Sequence, residues 1–177
     1  MSKKGIFVQS GMFIIRPVDE AEFDAVLEVY HQSEDFLALG PQPEASQEMV
    51  RADLEQSRLS GGLFCGIFQP DGRLFGVVDF IPQGYLGQPQ DAYIELLMLA
   101  QPYRSLGLGS EIVHLIEAEI TKDHQVQRIK AHVQENNPKA LAFWQRLGYR
   151  VTGPSEPRSD GTIVFPMCKS VAEIRGQ

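Results

Sequence analysis

A short glycine-containing segment lies between two apolar stretches and has the composition of an anion-binding loop. Its sequence is Arg104-Ser105-Leu106-Gly107-Leu108-Gly109-Ser110, and apolar residues at helical spacing follow it. Glycine lacks a Cβ, so the backbone there can bend sharply and bring its N–H groups close to an anion. The start of a helix adds about half a positive charge, and Arg104 can add a charge-assisted contact. The segment therefore predicts a pyrophosphate cradle.

The residues beside the glycines argue against two common nucleotide-binding motifs. A P-loop needs Lys between the glycine and the Ser or Thr, whereas Gly109 is followed directly by Ser110. The dinucleotide fingerprint needs Gly or Ala three residues after the second glycine, and that position is Ile112. A dinucleotide-binding oxidoreductase is therefore disfavoured. A plain helix start remains the structural alternative.

The segment resembles the signature of the GNAT N-acetyltransferase superfamily. Arg104-x-x-Gly107-x-Gly109 is similar to the family's Arg/Gln-x-x-Gly-x-Gly/Ala, and residues 95–104 resemble the strand and lead-in before it. A second block follows in the family's order. It is Asn137-x-x-Ala140-x-x-Phe143-Trp144-x-x-Leu147-Gly148-Tyr149, which is similar to Asn-x-x-Ala-x-x-Phe/Leu-Tyr-x-x-x-Gly-Phe.

This resemblance implies a site for acetyl-CoA in a notch where the central strand separates from its neighbour. It assigns the pantetheine arm to backbone groups of three strand residues, Leu97, Met98 and Leu99. It assigns the pyrophosphate to the N–H groups from Arg104 to Ser110. Asn137 would reach the pantetheine or the adjacent phosphate, and Phe143 would pack beside the cofactor. A helix cap for Asn137 and ordinary core packing for Phe143 stay open as alternatives.

The resemblance further implies direct transfer of the acetyl group to a primary amine of a small molecule or a peptide. A protonated amine is not a nucleophile, so a base or a water chain must take its proton. Glu95 is the candidate base, because the family often has Glu there and no other carboxylate lies in the strand predicted over 92–99. Strand alternation predicts that Glu95 shares the face of Leu97, and burial would raise its pKa. A structural ion pair is the alternative role.

Trp144 departs from the family pattern, since many members have a tyrosine there that protonates the leaving thiolate. An indole N–H cannot act as a general acid at neutral pH. Protonation then falls to water or to another residue, of which Tyr93 and Tyr103 are unsupported candidates. A non-catalytic acyl-CoA-binding module therefore stays open as the alternative function. Tyr149 is predicted to be a packing residue.

Composition limits the partners and the location. The 177 residues carry 16 Lys and Arg against 23 Asp and Glu, a formal net charge of −7, which argues against nucleic acid. No apolar stretch resembles a signal peptide or a membrane span, so we expect no membrane partner and a cytoplasmic location. Cys65 and Cys168 are expected to be reduced thiols, and no His or Cys spacing predicts a metal site. The oligomeric state is open, with a homodimer as one hypothesis.

The elements that must position these residues follow from the hydrophobic pattern. After a short extension over 1–11, the predicted order is β-α-α-β-β-β-α-β-α-β-β. This order favours one α/β (α+β) domain over 1–177, with a mixed, mostly antiparallel sheet of about six to seven strands and helices on both faces. The strand over 92–99 is expected to be covered on both faces. The connections 31–45, 82–90 and 153–161 flank the notch and are expected to select the acceptor.

Overall fold

A single mixed sheet organises residues 8–176, the part of the chain that the computed structural model describes. Its strands are β1 (Val8–Gln9), β2 (Ile14–Pro17), β3 (Leu63–Phe68), β4 (Leu74–Ile81), β5 (Asp91–Leu99), β6 (Arg128–Gln134), β7 (Arg150–Val151), β8 (Glu156–Pro157) and β9 (Ile163–Ser170). The helices are α1 (Phe23–His31), α2 (Glu34–Leu37), α3 (Gln47–Leu59), α4 (Leu108–Ile120), α5 (Pro138–Arg146) and α6 (Val171–Arg175).

The strand order is β1-β2-β3-β4-β5-β6-β9-β7, with β8 also paired to β9. Every pair is antiparallel except β5 with β6, so the predicted mixed, mostly antiparallel sheet is confirmed. The sheet has more strands than expected because β1 and β8 had not been predicted. Each of these strands has two residues, which is too short to show a periodic pattern. Strand β1 lies within the predicted extension, whose first seven residues are outside the described part.

Helices cover both faces of the sheet, as predicted. On one face α4 and α5 bury Ile112, Ile116 and Trp144 in a cluster with residues from most strands. On the other face α1 and α3 bury Tyr30 and Val50 in a second cluster. Apolar residues at i, i+3 and i+4 on each helix produce the stripe that each cluster requires.

Strand β5 pairs with β6 only over its first four residues. The register runs from Asp91↔Arg128 to Ile94↔Ala131, after which β6 continues beside β9. Beyond Ile94, β5 keeps β4 as its partner and its other edge leaves β6. The predicted coverage on both faces therefore holds over Asp91–Ile94 and fails at Glu95, which is exposed.

A β-bulge at Glu95 changes which face each residue of β5 occupies. Asp79 of β4 pairs with Leu96 and Phe80 with Ile94, so Glu95 is the extra residue on β5. Ile94 packs in the α4–α5 cluster, whereas Leu96 packs in the α1–α3 cluster. The alternation is therefore interrupted, and Glu95 lies with Leu96 in the wall of a cavity beside α3. The prediction that Glu95 shares the face of Leu97 is wrong for this reason.

A buried ion pair fastens α4 to β9. The ammonium of Lys169 donates to both carboxylate oxygens of Glu117, at 3.0 and 2.9 Å, and each side chain is at most 2% exposed. Burying two charges is costly unless they are paired with good geometry. The pair therefore makes the packing of this helix sensitive to the loss of either partner.

We expect Lys169→Met to lower the free energy of unfolding by about 3–5 kcal/mol, because it leaves the Glu117 carboxylate buried without its partner. Urea unfolding followed by circular dichroism measures the change. The surface pair of Lys122 with Glu119 supplies the control, and Lys122→Met should stay within about 0.5 kcal/mol of the parent. The double variant Lys169→Met/Glu117→Leu should recover most of the loss. A Lys169→Met protein as stable as the parent would contradict this account.

Candidate active site

The loop before α4 presents a row of backbone N–H groups at a helix start. Within residues 8–176, the N–H groups from Ser105 to Gly109 have no backbone acceptor, and the first N–H groups of a helix have no partner within it. Gly107 is the N-cap residue with φ +81°, a left-handed conformation that glycine adopts without strain. The N–H groups of Arg104 and Ser110, which the prediction included, donate to Gln101 and Gly107 carbonyls instead. The remaining N–H groups suit an anionic ligand such as a pyrophosphate.

The second glycine of the loop allows close contact between α4 and α5. A Cβ on Gly109 would lie 3.4 Å from the ring of Phe143, at the near limit of van der Waals contact, so a larger side chain would press on the ring. Phe143 packs against the α4–α5 core and also lines the space between the helix and the sheet. The two glycines are thus needed for different reasons: Gly107 for its conformation and Gly109 for this contact.

The side chain of Arg104 is engaged within the protein. Its Nε donates to the Leu99 carbonyl at 2.7 Å, and its Nη1 contacts both oxygens of Asp35 at 2.9 and 2.8 Å. Its Nη2 donates to the Gln32 carbonyl at 2.6 Å and contacts Ser33 Oγ at 3.1 Å. Arg104 therefore fastens the loop to the α1–α2 connection, and its predicted contact with a phosphate stays a prediction. The hydrogen bond from Arg104 Nε also occupies the carbonyl oxygen of Leu99.

A notch of about 300 Å³ opens where β5 and β6 separate. On the β5 side it is lined by residues 93–97, on the β6 side by residues 132–134, and on the α5 side by Asn137, Ala140, Phe143 and Trp144. Asn137 also caps α5, because its side-chain oxygen accepts the Ala140 N–H at 3.0 Å. Of the predicted site residues, Glu95, Leu97, Asn137 and Phe143 are therefore brought to one cavity. Met98 and Leu99 lie farther along β5, outside its lining.

Trp144 packs in the core and contributes to the notch wall. Its ring meets Phe143 and Tyr149 edge to face, with centroids 5.4 and 4.9 Å apart. Tyr149 is buried in the same cluster, as expected of a packing residue. Tyr103 stacks beside Phe75 at 4.5 Å and is not among the notch residues.

Glu95 lies in a polar network that the sequence had not indicated. Arg158, from the loop between β8 and β9, places Nη2 3.7 Å from Glu95 Oε1. Its Nη1 is 3.4 Å from the Tyr93 hydroxyl and 3.2 Å from His132 Nδ1. The Tyr93 hydroxyl and His132 Nδ1 are 3.0 Å apart, and His132 Nε2 is 3.5 Å from Glu156. Sequence reasoning had indicated only the loop 153–161, which contains Arg158, as one of the segments expected to select the acceptor.

The surroundings shift the protonation of two groups at the notch. Partial desolvation raises the pKa of Glu95 even though 44% of its side chain is exposed, and the nearby positive charge of Arg158 opposes this rise. Burial lowers the pKa of His132, and the charge of Arg158 lowers it further. Because its pKa is below the ordinary histidine value, the imidazole is neutral at neutral pH. The raised pKa of Glu95 matches the direction expected for a base near neutrality.

A second cavity of about 510 Å³ lies beside α3 and contains further carboxylates. Ser57 Oγ donates to Asp79 at 2.6 Å, and the Tyr30 hydroxyl donates to Asp53 at 2.7 Å. Burial raises the pKa of Asp79 to about 6 and also raises the pKa of Asp53. This cavity meets the notch at Glu95, so the carboxylate is accessible from two directions.

Membrane-spanning helices and metal clusters are both absent from the described part of the chain. Among residues 8–176, no helix is long and apolar enough to cross a membrane. In the same range, no three His, Cys, Asp or Glu side chains lie close enough together to hold a metal ion.

A family model described as "Acetyltransferase (GNAT) family" matches residues 24–149. The chain is 34% identical over 59 residues to N-alpha-acetyltransferase 50 of Danio rerio, covering 33% of this chain and 35% of the relative. It is 34% identical over 64 residues to the "Probable N-acetyltransferase san" of Drosophila melanogaster, covering 36% and 35% respectively. The matches thus span about a third of each relative's length.

Solved structures show the same fold at low identity. An acetyltransferase from Thermus thermophilus superposes with a TM-score of 0.72 at 23% identity, over 93% of this chain and 99% of the other. A Vibrio cholerae spermidine N-acetyltransferase in complex with CoA and spermine has a TM-score of 0.71 at 12% identity, over 94% and 99%. A Salmonella typhimurium acetyl transferase that modifies the N-terminal serine of ribosomal protein L7/L12 superposes with a TM-score of 0.76 at 16% identity, over 93% of this chain and 99% of the other.

We expect Asp79→Asn to raise the free energy of unfolding at pH 7 by about 1–3 kcal/mol. The folded-state pKa of Asp79 is raised to about 6, above the ordinary value that it has in the unfolded chain. The contribution of Asp79 to the free energy of unfolding therefore falls as the pH rises from the unfolded-state pKa to the folded-state pKa. Asparagine keeps an oxygen for Ser57 and does not ionise. Urea unfolding at pH 4 and pH 7 measures the effect, which should shrink at pH 4. Asp24→Asn on the exposed face of α1 is the control, and an equal effect of Asp79→Asn at both pH values would contradict the assignment.

Proposed function

Because the chain belongs to the acetyltransferase (GNAT) family, we propose that it transfers an acetyl group from acetyl-CoA to a primary amine of a small molecule or a peptide. The observation that carries the proposal is the notch at the end of the β5–β6 pairing, with unpaired N–H groups at the start of α4 and Glu95 at its mouth. These features supply an anion cradle, an open strand edge and a base.

The acyl donor is proposed to lie along β5 and the start of α4. The N–H groups from Ser105 to Gly109 would hold the pyrophosphate, with Gly107 allowing the close approach. The open edge of β5 would hold the pantetheine arm, through backbone groups of Leu97 and Met98. The carbonyl of Leu99 already accepts from Arg104 and is less suited to this role. Asn137 and Phe143 would contact the donor from α5.

Glu95 is proposed as the base that takes a proton from the acceptor amine, directly or through one water. The neutral amine then attacks the thioester carbonyl carbon, a C–N bond forms and the C–S bond breaks. The departing thiolate takes up a proton from water or from a polar group of the notch. The raised pKa of Glu95 favours proton uptake near neutral pH.

Two similar structures support an amine as the acceptor class. One is a spermidine N-acetyltransferase, and another modifies an N-terminal serine. Both groups are amines, one of a small molecule and one of a polypeptide. The proposal also includes a cytoplasmic location, which the unpaired thiols of Cys65 and Cys168 support.

We expect Gly107→Val and Gly109→Val to weaken acetyl-CoA binding at least about tenfold, or 1.4 kcal/mol. Valine at position 107 opposes the left-handed backbone, and valine at position 109 displaces the Phe143 ring. Isothermal calorimetry measures the affinity, and thermal melting checks that the variants are folded.

Gly72→Val is the matched control for the strain at position 107. Gly72 has φ +88° in the turn between β3 and β4, and no atom lies within 4 Å of its added Cβ. This variant should lose stability and retain the parental affinity for acetyl-CoA. Folded variants at positions 107 and 109 with parental affinity would show that the cradle lies elsewhere.

We expect Glu95→Gln to lower turnover by roughly 10²–10⁴, the usual effect of a positioned base, with little change in acetyl-CoA affinity. Raising the pH should partly restore the rate, because more of the amine is then already neutral. Initial rates of thiol release across a panel of primary amines measure the effect. Glu95→Asp keeps the negative charge on a side chain that is one methylene shorter. Its turnover should lie between that of the parent and that of Glu95→Gln.

Parental turnover of Glu95→Gln at neutral pH would remove Glu95 from the mechanism. Tight acetyl-CoA binding by the parent protein without turnover of any amine would instead favour the non-catalytic module that Trp144 suggests.

A further inference from the structure

Arg158 occupies the boundary between the two cavities described above. The notch and the α3-side cavity share three lining residues, Glu95, Leu96 and Arg158. Leu96 has no polar side-chain atom, so the polar part of the boundary is the pair of Arg158 with Glu95. The two side chains are 34% and 44% exposed, and their charged atoms are 3.7 Å apart. The carboxylate therefore keeps an open side while one oxygen faces the guanidinium.

The guanidinium is anchored on its other side by Tyr93 and His132. Arginine has donors and no acceptor, and its Nη1 donates to the Tyr93 oxygen at 3.4 Å and lies 3.2 Å from His132 Nδ1. A neutral His132 with its proton on Nε2 presents one lone pair at Nδ1, within reach of both Arg158 and the Tyr93 hydroxyl, and directs that proton toward Glu156 at 3.5 Å. Tyr85 stacks on Tyr93 at 4.1 Å between centroids and 13° between planes. The anchor is therefore a packed aromatic pair with a neutral imidazole beside it.

Most groups around Glu95 are acidic. The charged and titratable groups that act on it are Arg158 and Asp160 from the β8–β9 loop, Tyr93 from β5, Tyr85 from the preceding loop, Asp53 from α3 and Asp79 from β4. Arg158 is the one positive charge in this set. Without it, the carboxylate would face three other carboxyl groups and no cation. Arg158 is thus the group in this set whose positive charge favours the ionised carboxylate.

We propose that Arg158 is a positioning residue for Glu95: anchored by Tyr93 and His132, its guanidinium holds the carboxylate at the junction of the two cavities, where an acceptor nitrogen and the thioester can meet. The inference rests on the proposed function, in which Glu95 is the base. Arg158 acts through Glu95 and takes no part in the bond changes.

The test is the pH dependence of kcat/KM in Arg158→Gln, with Arg158→Lys and Tyr93→Phe beside it. A positive charge favours the ionised carboxylate, so its removal raises the pKa of the base. The limb on which the rate increases with pH should then move up by about 0.5–1 pH unit. The value of kcat should fall roughly 10- to 100-fold through misplacement, with acetyl-CoA affinity within about twofold of the parent. Arg158→Lys should keep the limb near its parental position.

A double variant separates an action through Glu95 from an independent one. In the Glu95→Gln background, Arg158→Gln should cause no further loss of turnover, since the group that it positions is gone. Arg73→Gln is the control, because Arg73 pairs with Asp71 in an exposed turn, and its pH profile should match the parent.

An unmoved limb in folded Arg158→Gln, or an additive loss in the double variant, would overturn the inference while leaving the base assignment intact. Parental turnover of Glu95→Gln would overturn the base assignment and this inference with it. If Arg158→Gln does not fold, Arg158→Lys and Tyr93→Phe decide: a lowered kcat with parental acetyl-CoA affinity in Tyr93→Phe supports the inference, and parental kcat in both variants overturns it.

Discussion

The early end of the β5–β6 pairing is the constraint on which the rest of the site depends. Backbone N–H and C=O groups need partners, and parallel neighbours normally supply them along the whole strand. Here the pairing stops at Ile94, while β6 stays paired with β9 along its whole length. Beyond that point, this edge of β5 has no neighbouring strand among the described residues. The same divergence opens the space that α5 and the β8–β9 loop line.

The bulge at Glu95 makes this edge chemically useful. Glu95 follows Ile94, which packs in the α4–α5 cluster, and therefore points to the opposite face of the sheet. The extra residue lets Leu96 share this side with Glu95 and returns Leu97 to the α4–α5 cluster. The carboxylate thus lies on the α3 side, where Arg158 is 3.7 Å away and an open cavity adjoins it.

Local signals in the sequence were enough for the four longer helices, for seven of the nine strands and for the helix start after the glycine loop. Gly107, Gly109 and the apolar stripe of α4 act within a few residues of one another, and they do form a helix start there, while their role as a phosphate cradle stays a prediction. The predictions failed where a distant residue decides. The contact of Arg104 with Asp35 had not been predicted, and the alternation at Glu95 was interrupted by the register of β5 with β4. Arg158 had no motif, because its partners come from β5 and β6.

The two walls of the notch differ in their chemistry. The α5 wall consists of Asn137, Ala140, Phe143 and Trp144, none of which titrates near neutral pH. Every titratable side chain among the described lining residues belongs to the sheet or to the β8–β9 loop: Tyr93, Glu95, His132, Arg158 and Asp160. With an indole packed between Phe143 and Tyr149, the helix supplies shape and exclusion of water. In the proposed reaction, proton transfer therefore falls to groups on the sheet side, where Arg158 Nη2 lies 3.7 Å from one Glu95 oxygen.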